Sequence, residues 1–565
     1  MPPTHRPFWL LLFLALGTVC SAAQQPSAAK SPTSAKPATP AGSSVQDQVI
    51  ARVIQGEAQL IDLLRNFRPV VETYLQNMRP DQELGLVPKG DEYFLGRLDF
   101  SQRVGEDSYL DHGHVPTFLR KLKGAYALRY SPAELSRAVL VDENLNRQRY
   151  KFTFVRREML GDVRCLVFHV EPRGESAGSR FLGNIWVEDE DFKIVRFNGT
   201  YVPHPRSRPS LHFDSWRLNL LPKTWLPAYV YSEESDEETK LGHKVRYRAQ
   251  TRLWGYDLRH AGDHREYQQT LLTDPMPLPR GHEESANLSP ILSERQFPFS
   301  TEDTIVERLQ VAGLMAPDGP VDRVLEQVVT NLILTNNISN LSHVRCRVLL
   351  TTPFESFAIG HTIVVSRGLL DVLPNEASLA GILAHELAHL LLGHSTENSY
   401  GFNDRMFIAD EKVLQAMNFH RDDAEEQAAD HKAMALLQRS PYKDQLADAG
   451  LFFSMLKQRG PELPRLIQPQ LGSAWAMGDE IRMAGLQALS PKLEMDRTDQ
   501  VAALPLGGRI KLDPWSDRIE LMKPAPLSLQ NPREKLPLEV TPFFPHLVRY
   551  QPEAVPGPGS AEPKQ

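Results

Sequence analysis

The run Leu379-Ala-Gly-Ile-Leu-Ala-His-Glu-Leu-Ala-His-Leu-Leu-Leu-Gly-His394 constrains this chain more than any other stretch. Leu379, Ile382, Leu383, Leu387, Leu390 and Leu391 cover so much of a helical circumference that the helix must be buried on most sides. The same helix carries His385, Glu386 and His389. Residues four apart lie on one face, so both imidazoles can reach one metal ion. Glu386 projects from an adjoining part of that arc, placed to take a proton from an attacking water. Gly393 is a natural stop for the helix. With 18 histidines in 565 residues, the bare five-residue pattern arises by chance in roughly a few per cent of such chains. Burial argues against chance here, because ionisable groups on a leucine-rich helix are costly unless paired or metal-bound.

Two histidines leave a zinc ion short of a protein ligand, since catalytic sites usually supply three and keep one position open. A metzincin would need glycine three residues after His389 and a third histidine three further on. Those places hold Leu392 and Ser395, so that class is excluded, and His394 stands at the wrong offset and packs near the helix end. The downstream segment Asp422-Asp-Ala-Glu-Glu-Gln-Ala-Ala-Asp-His431 is the better source. Glu426 and Asp430 are four apart on a second helix, and small residues at Ala428, Ala429 and Ala433 let it pack closely on the first. Glu426 then serves as third ligand, with Asp430 accepting the free N–H of a ligand histidine and fixing its tautomer. Alone, the segment would read as an acidic helix start with exposed carboxylates. The upstream motif tips the balance.

The combination His385-Glu386-x-x-His389 with Gly393-His394, then Glu426-x-x-Ala429-Asp430, resembles the paired motifs of the CAAX-prenyl-protease, HtpX and BepA-like zinc metallopeptidases, a gluzincin group. The run Phe357-Ala-Ile-Gly-His-Thr-Ile-Val-Val-Ser-Arg-Gly-Leu-Leu370 is similar to the strand and turn before that family's metal helix. The likeness covers about residues 320–440. It implies one zinc per chain held by His385, His389 and Glu426, with Glu386 as catalytic base, Asp430 behind the ligands and polypeptides as substrates. The chain departs from the family at Glu355-Ser356, where Asn-Ala is common, and at Gly360-His361, where Pro-Gly-Gly is common. Because this strand is where the family is expected to align substrate, specificity does not carry over, and the substrate-binding residues are unknown. The family's His-Pro element is absent around Leu471–Trp475. For an oxyanion-stabilising group, His361, His420, His431 and Arg405 stand equal.

The rest of the chain reads as α+β and multidomain. Residues 1–23 have the form of an export signal, with Arg6, an apolar run from Phe8 to Val19, and Ser21-Ala22-Ala23 for cleavage. The expected location is therefore exported, and periplasmic in a bacterium, with an uncleaved anchor as the alternative. Cys20 follows Gly17-Thr18-Val19, a poor lipobox. Residues 24–44 are a Pro-, Ala- and Ser-rich tether. A helix is expected from Val45 to Met78, then an antiparallel β domain to residue 271 with one apolar face. Its alternating runs include Phe181–Val187 and Phe192–Phe197, a hairpin across Glu188-Asp-Glu-Asp191. Its rhythm faintly resembles the half-barrels of periplasmic lipoprotein carriers. An aromatic sheet core without ligand is the plainer account of it.

Residues 272–319 read as a linker with a short helix near 304–314, residues 320–503 as the zinc metallopeptidase domain, and 504–565 as a Pro-rich C-terminal segment. No transmembrane helix is expected in the mature chain, and a net charge of −7 without a basic tract gives no sign of nucleic-acid binding. Cys165 and Cys346 suggest no disulfide framework. The expected activity is zinc metalloendopeptidase in envelope protein quality control, on misfolded envelope or outer-membrane clients. The alternative is an envelope chaperone or lipoprotein-binding factor in which proteolysis is secondary or lost.

Overall fold

Pro69 decides where the first helix gives way. Helix α1 (Val45–Leu64) ends before it and strand β1 (Val70–Asp81) starts just after it, so the helical spacing read through to Met78 does not hold. Proline has no N–H to continue a helix, and the β-branched pair Val70-Val71 favours the strand. The computed structural model describes residues 45–81, 85–100, 105–109, 136–174, 179–203, 212–238, 244–256, 305–339, 341, 344–394, 414–415, 417–468, 470–477, 480–492, 494, 510–513, 518–521, 538, 540 and 542–550. The expected signal (1–23) and tether (24–44) lie outside these residues, as does Arg405.

Ten antiparallel strands follow α1 in one open sheet. Strands β4 (Tyr150–Leu160), β5 (Val163–Pro172), β6 (Arg180–Glu188), β7 (Ile194–Val202), β8 (Phe213–Leu221), β9 (Thr224–Glu238) and β10 (Lys244–Trp254) form a meander. β1, β2 (Gly85–Asp99) and β3 (Gly105–Ser108) extend it beyond β10. The acidic 188–191 hairpin is organised by Glu188, a buried carboxylate that accepts from the backbone N–H groups of Glu190, Asp191 and Lys193 at 2.9–3.0 Å.

The sheet is apolar on both faces, not one. Val71, Phe94, Phe168, Phe181, Phe197 and Phe213 pack with Ile50, Val53, Leu60 and Leu64 of α1. The opposite face, including Val70, Tyr74, Trp186, Trp216 and Tyr229, shares a core with the C-terminal half of the molecule. Aromatic and β-branched residues at odd and even positions alike serve two layers, as expected of a strand buried on both sides. Inside the α1 layer, Arg217 makes a bidentate pair with Glu57 at 2.7 Å, both groups buried.

In the C-terminal half, residues 305–311 are helical and Met315 bridges to Leu349, so the described end of the expected linker is packed. Helix α2 (Pro320–Thr335) precedes a three-stranded sheet in the order β11 (Arg345–Leu349), β13 (Thr362–Ser366), β12 (Ser356–Ile359), with β12 at the edge. Then come α3 (Arg367–Val372), α4 (Glu376–Leu392), α5 (Asp423–Gln438), α6 (Leu446–Arg459), the short α7 (Pro464–Ile467) and α8 (Ala484–Leu489). The fold class is α+β, a large antiparallel sheet followed by a mainly helical region with a small sheet.

Buried polar groups lock the two halves together. Glu72 on β1, 1% exposed, pairs with Arg252 and accepts from Tyr93 Oη at 2.9 Å, Thr352 N at 2.6 Å and Thr352 Oγ1 at 2.8 Å. Asp91 on β2 accepts from the N–H groups of Arg465 and Leu466 at the start of α7, both at 2.9 Å. The C-terminal segment, where described, crosses the large sheet: Val540 N donates to Gln76 Oε1 at 2.8 Å and Asp162 N to Leu547 O at 2.8 Å. Glu355, between Thr352 and β12, is buried beside this junction. Burial pushes its carboxyl up to about 7, against the backbone donors of Gln470 and Leu471 and with a further push from Glu72.

An unfolded glutamate titrates near 4.5. Between 4.5 and about 7 the folded chain holds a proton the unfolded chain has released. The contribution of Glu355 is therefore fully present below the lower value and lost as pH rises through the upper one. Thermal unfolding should show Tm falling from pH 5 to pH 8, and Glu355→Gln should flatten that slope; an unchanged slope in the variant would contradict the assignment.

Candidate metal centre and active site

Helix α4 begins and ends on local signals. Asn375 caps it, Oδ1 accepting from Ser378 N at 2.8 Å, and Gly393 closes it in the left-handed region at φ 72°. Between these ends every residue from Ala380 to His389 is buried. Gly381 sits where a Cβ would come within 3.1 Å of Leu486, so the helix lies close against α8 and Phe453 of α6. Helix α5 is capped by Asp422, which accepts from Glu425 N at 2.8 Å. It meets α4 through Ala429 and Ala433, both buried; Ala428, expected in the same contact, is exposed because it lies about 100° around the helix from Ala429.

This packing brings His385, His389 and Glu426 together. His385 Nε2 is 3.0 Å and His389 Nε2 3.4 Å from Glu426 Oε2, and the two ring nitrogens are 3.1 Å apart. A tetrahedral ion bound at about 2.0–2.1 Å would hold its ligand atoms roughly 3.3 Å from one another. The observed triangle has that size. The donor chemistry agrees. Asp430 Oδ1 lies 2.8 Å from His385 Nδ1, and with Nδ1–H donating to it, Nε2 presents a lone pair to the centre. A second carboxylate atom, Glu426 Oε1, is buried without a hydrogen-bond partner. Acceptor atoms converging in a buried place require a cation among them.

Titration reflects the same demand. Burial opposes charge on His385, but hydrogen bonds to Asp430 and Glu426 and the charge of Glu386 outweigh it and push the imidazole up to about 9. His389, with burial as the main influence, is lowered. Burial tends to raise Glu426, yet His385, His389 and Arg482 hold its carboxyl far below the usual range. A metal ion would replace the proton that His385 otherwise keeps.

Glu386 lies beside this triangle, 3% exposed, with Oε1 accepting from Ser356 Oγ on β12. Asp430 has a second contact: Oδ2 accepts from Met483 N at 2.7 Å, which anchors the segment after the paired strands β14 (Ala476–Met477) and β15 (Glu480–Ile481). His394 reaches His389, Nδ1 to Nδ1 at 2.9 Å.

Two arginines not foreseen from sequence line the site. Arg482 hydrogen-bonds Glu426 Oε2 and has Nη1 3.3 Å from His385 Nε2. Arg421 donates from Nη2 to Ala358 O of β12 at 3.1 Å, and its Nη1 is buried without a partner. Burial lowers Arg421, while the charges of Glu386 and Glu426 oppose that. Neither arginine belongs to a spaced motif, so no periodic signal marked them. Of the four groups considered for the oxyanion, His361 is in the β12–β13 turn and His431 on the exposed side of α5. His420 is within electrostatic reach of Arg482 and Glu426, with its ring bonded to Asn418. Trp475 packs against His385 where the family's His-Pro element would be expected, ring centroids 5.5 Å apart.

Residues 321–454 match the profile of Peptidase family M48, a stretch that contains His385, Glu386, His389, Glu426 and Asp430 and makes up less than a quarter of the chain. The match supports a zinc metallopeptidase domain acting on polypeptides. No curated protein matches the chain. Among the described residues, no helix is long and apolar enough to cross a membrane.

Removing one corner of the triangle should release the ion. Glu426→Ala should purify with well under one zinc per chain by atomic emission, whereas Asp430→Asn, which keeps all three ligands, should weaken zinc affinity by about 10- to 100-fold in chelator competition. Full zinc in Glu426→Ala would place the metal elsewhere.

Proposed function

We propose that the chain is an exported zinc metalloendopeptidase of the CAAX-prenyl-protease, HtpX and BepA-like type, working in protein quality control in the cell envelope. The observation that carries the activity is the buried triangle of His385, His389 and Glu426 with Glu386 beside it. The type is supported by the two motifs on α4 and α5 at the family's spacing. Export is supported by the signal-like residues 1–23, which would place the enzyme in the periplasm of a bacterium, whether released or held by an uncleaved signal.

The three ligands would hold one zinc ion, which supplies Lewis acidity to the scissile carbonyl and to the attacking water. Glu386 takes the proton from that water and passes it to the leaving amine. Asp430 keeps His385 in the tautomer that presents Nε2. Arg482 and Arg421 supply N–H donors and positive charge where the tetrahedral oxyanion develops. Edge strand β12 lies over α4 and is itself buried, with the Ala358 carbonyl taken by Arg421, so it supports the site from behind.

The client-binding reading rests on a separate observation. Strand β4 ends the large sheet among the described residues and exposes Phe154, Val155 and Met159. An exposed apolar edge can take up an extended chain by strand addition. In a pull-down with urea-unfolded casein, Val155→Lys in a Glu386→Gln background should weaken capture several-fold; equal capture would remove β4 from the account.

For the main reading, Glu386→Gln should keep its zinc and lose at least about 100-fold in casein cleavage, the usual scale of a general base. Unchanged turnover in that variant would end the proposal.

A further inference from the structure

Ser356 is the residue at which strand β12 and the base meet. It opens β12, whose backbone pairs with β13 in the register Ser356 to Val365 and Phe357 to Val364. Its carbonyl faces away from β13 toward Gly472, where an added Cβ would stand 2.5 Å from that oxygen. Its side chain goes the other way, into the core: Ser356 is 3% exposed, and Oγ donates to Glu386 Oε1 at 2.5 Å.

From this geometry we propose that Ser356 is a positioning residue for Glu386: its hydroxyl fixes the carboxylate rotamer through Oε1 and leaves Oε2 to work on the attacking water. This rests on the peptidase reading above and deepens it. A glutamate side chain has three torsions, and α4 by itself determines only where the Cα stands. Without a partner the carboxylate would sample several staggered states, of which few reach the water. Anchoring it from β12 ties the aim of the base to the small sheet. The anchor extends further back, because Thr352, four residues before Ser356, is held by Glu72 of the large sheet. The chain of contacts Glu72, Thr352, β12, Ser356 and Glu386 thus gives the N-terminal sheet a part in placing the base.

The test uses the full chain with zinc bound, comparing wild type, Ser356→Ala and Ser356→Thr on a fluorogenic casein-derived peptide. Circular dichroism and zinc content show that each variant is folded and loaded. Ser356→Ala should lose about 10- to 100-fold in kcat, the worth of one hydrogen bond to a charged group, with KM within twofold. Ser356→Thr keeps a hydroxyl at the same atom and should recover most of the rate. Acetohydroxamate, whose acidic hydroxyl needs a carboxylate acceptor beside the ion, should bind several-fold more weakly to Ser356→Ala by calorimetry. The inference is overturned by a kcat within twofold of wild type, by a loss confined to KM, by failure of threonine to rescue, or by equal acetohydroxamate affinity. Should wild type show no cleavage that Glu386→Gln removes, the peptidase reading fails on its own and the acetohydroxamate comparison still decides the pairing.

Discussion

Everything at the centre of this molecule depends on acceptor atoms being forced together where water cannot separate them. His385 Nε2, His389 Nε2 and a Glu426 carboxylate oxygen stand 3.0–3.4 Å apart inside a helix pair lined by leucine and alanine. Such a cluster is unfavourable unless positive charge occupies it. A zinc ion would meet that demand, because it would engage all three lone pairs at once. The surrounding side chains are arranged to keep the lone pairs aimed: Asp430 on one imidazole, His394 on the other.

The large sheet does more than precede the peptidase region. Its second face is part of the same apolar core as α4, and Glu72 and Asp91 reach from it to Thr352 and to the first turn of α7. Either carboxylate would be expensive to bury alone. Arg252, Tyr93 and Tyr74 meet part of that demand within the sheet, and Thr352, Arg465 and Leu466 supply further donors from the C-terminal half. A consequence follows for the site: the loop 351–355 and strand β12 are held by the sheet on one side and touch the base on the other.

Charge distribution around the site has its own logic. Three carboxylates, Glu386, Glu426 and Asp430, gather around two histidines, and two arginines from different elements offset them. Arg421 enters from just before the cap of α5 and Arg482 from the segment after β15, so the positive side of the site is assembled from two separate parts of the chain.

Sequence by itself determined what local chemistry can specify. The i, i+4 spacing of His385 and His389 placed two imidazoles on one face, Asn375 and Gly393 bounded the helix, and the alternating aromatic runs marked the strands and the 188–191 hairpin. The reach of Glu426 and Asp430 to that face was an expectation from pairing two motifs, and the packing of α5 on α4 brings them there. Where local signals conflict, reading failed: helical spacing ran on past Pro69, and one apolar face was read where tertiary packing buries two. Only the tertiary structure decided the Arg421 and Arg482 contacts, the Ser356 bond to Glu386 and the Glu72 link between halves. Each joins residues tens to hundreds of positions apart, and no periodicity records such a pairing, because it exists only once separate elements have buried their faces against one another.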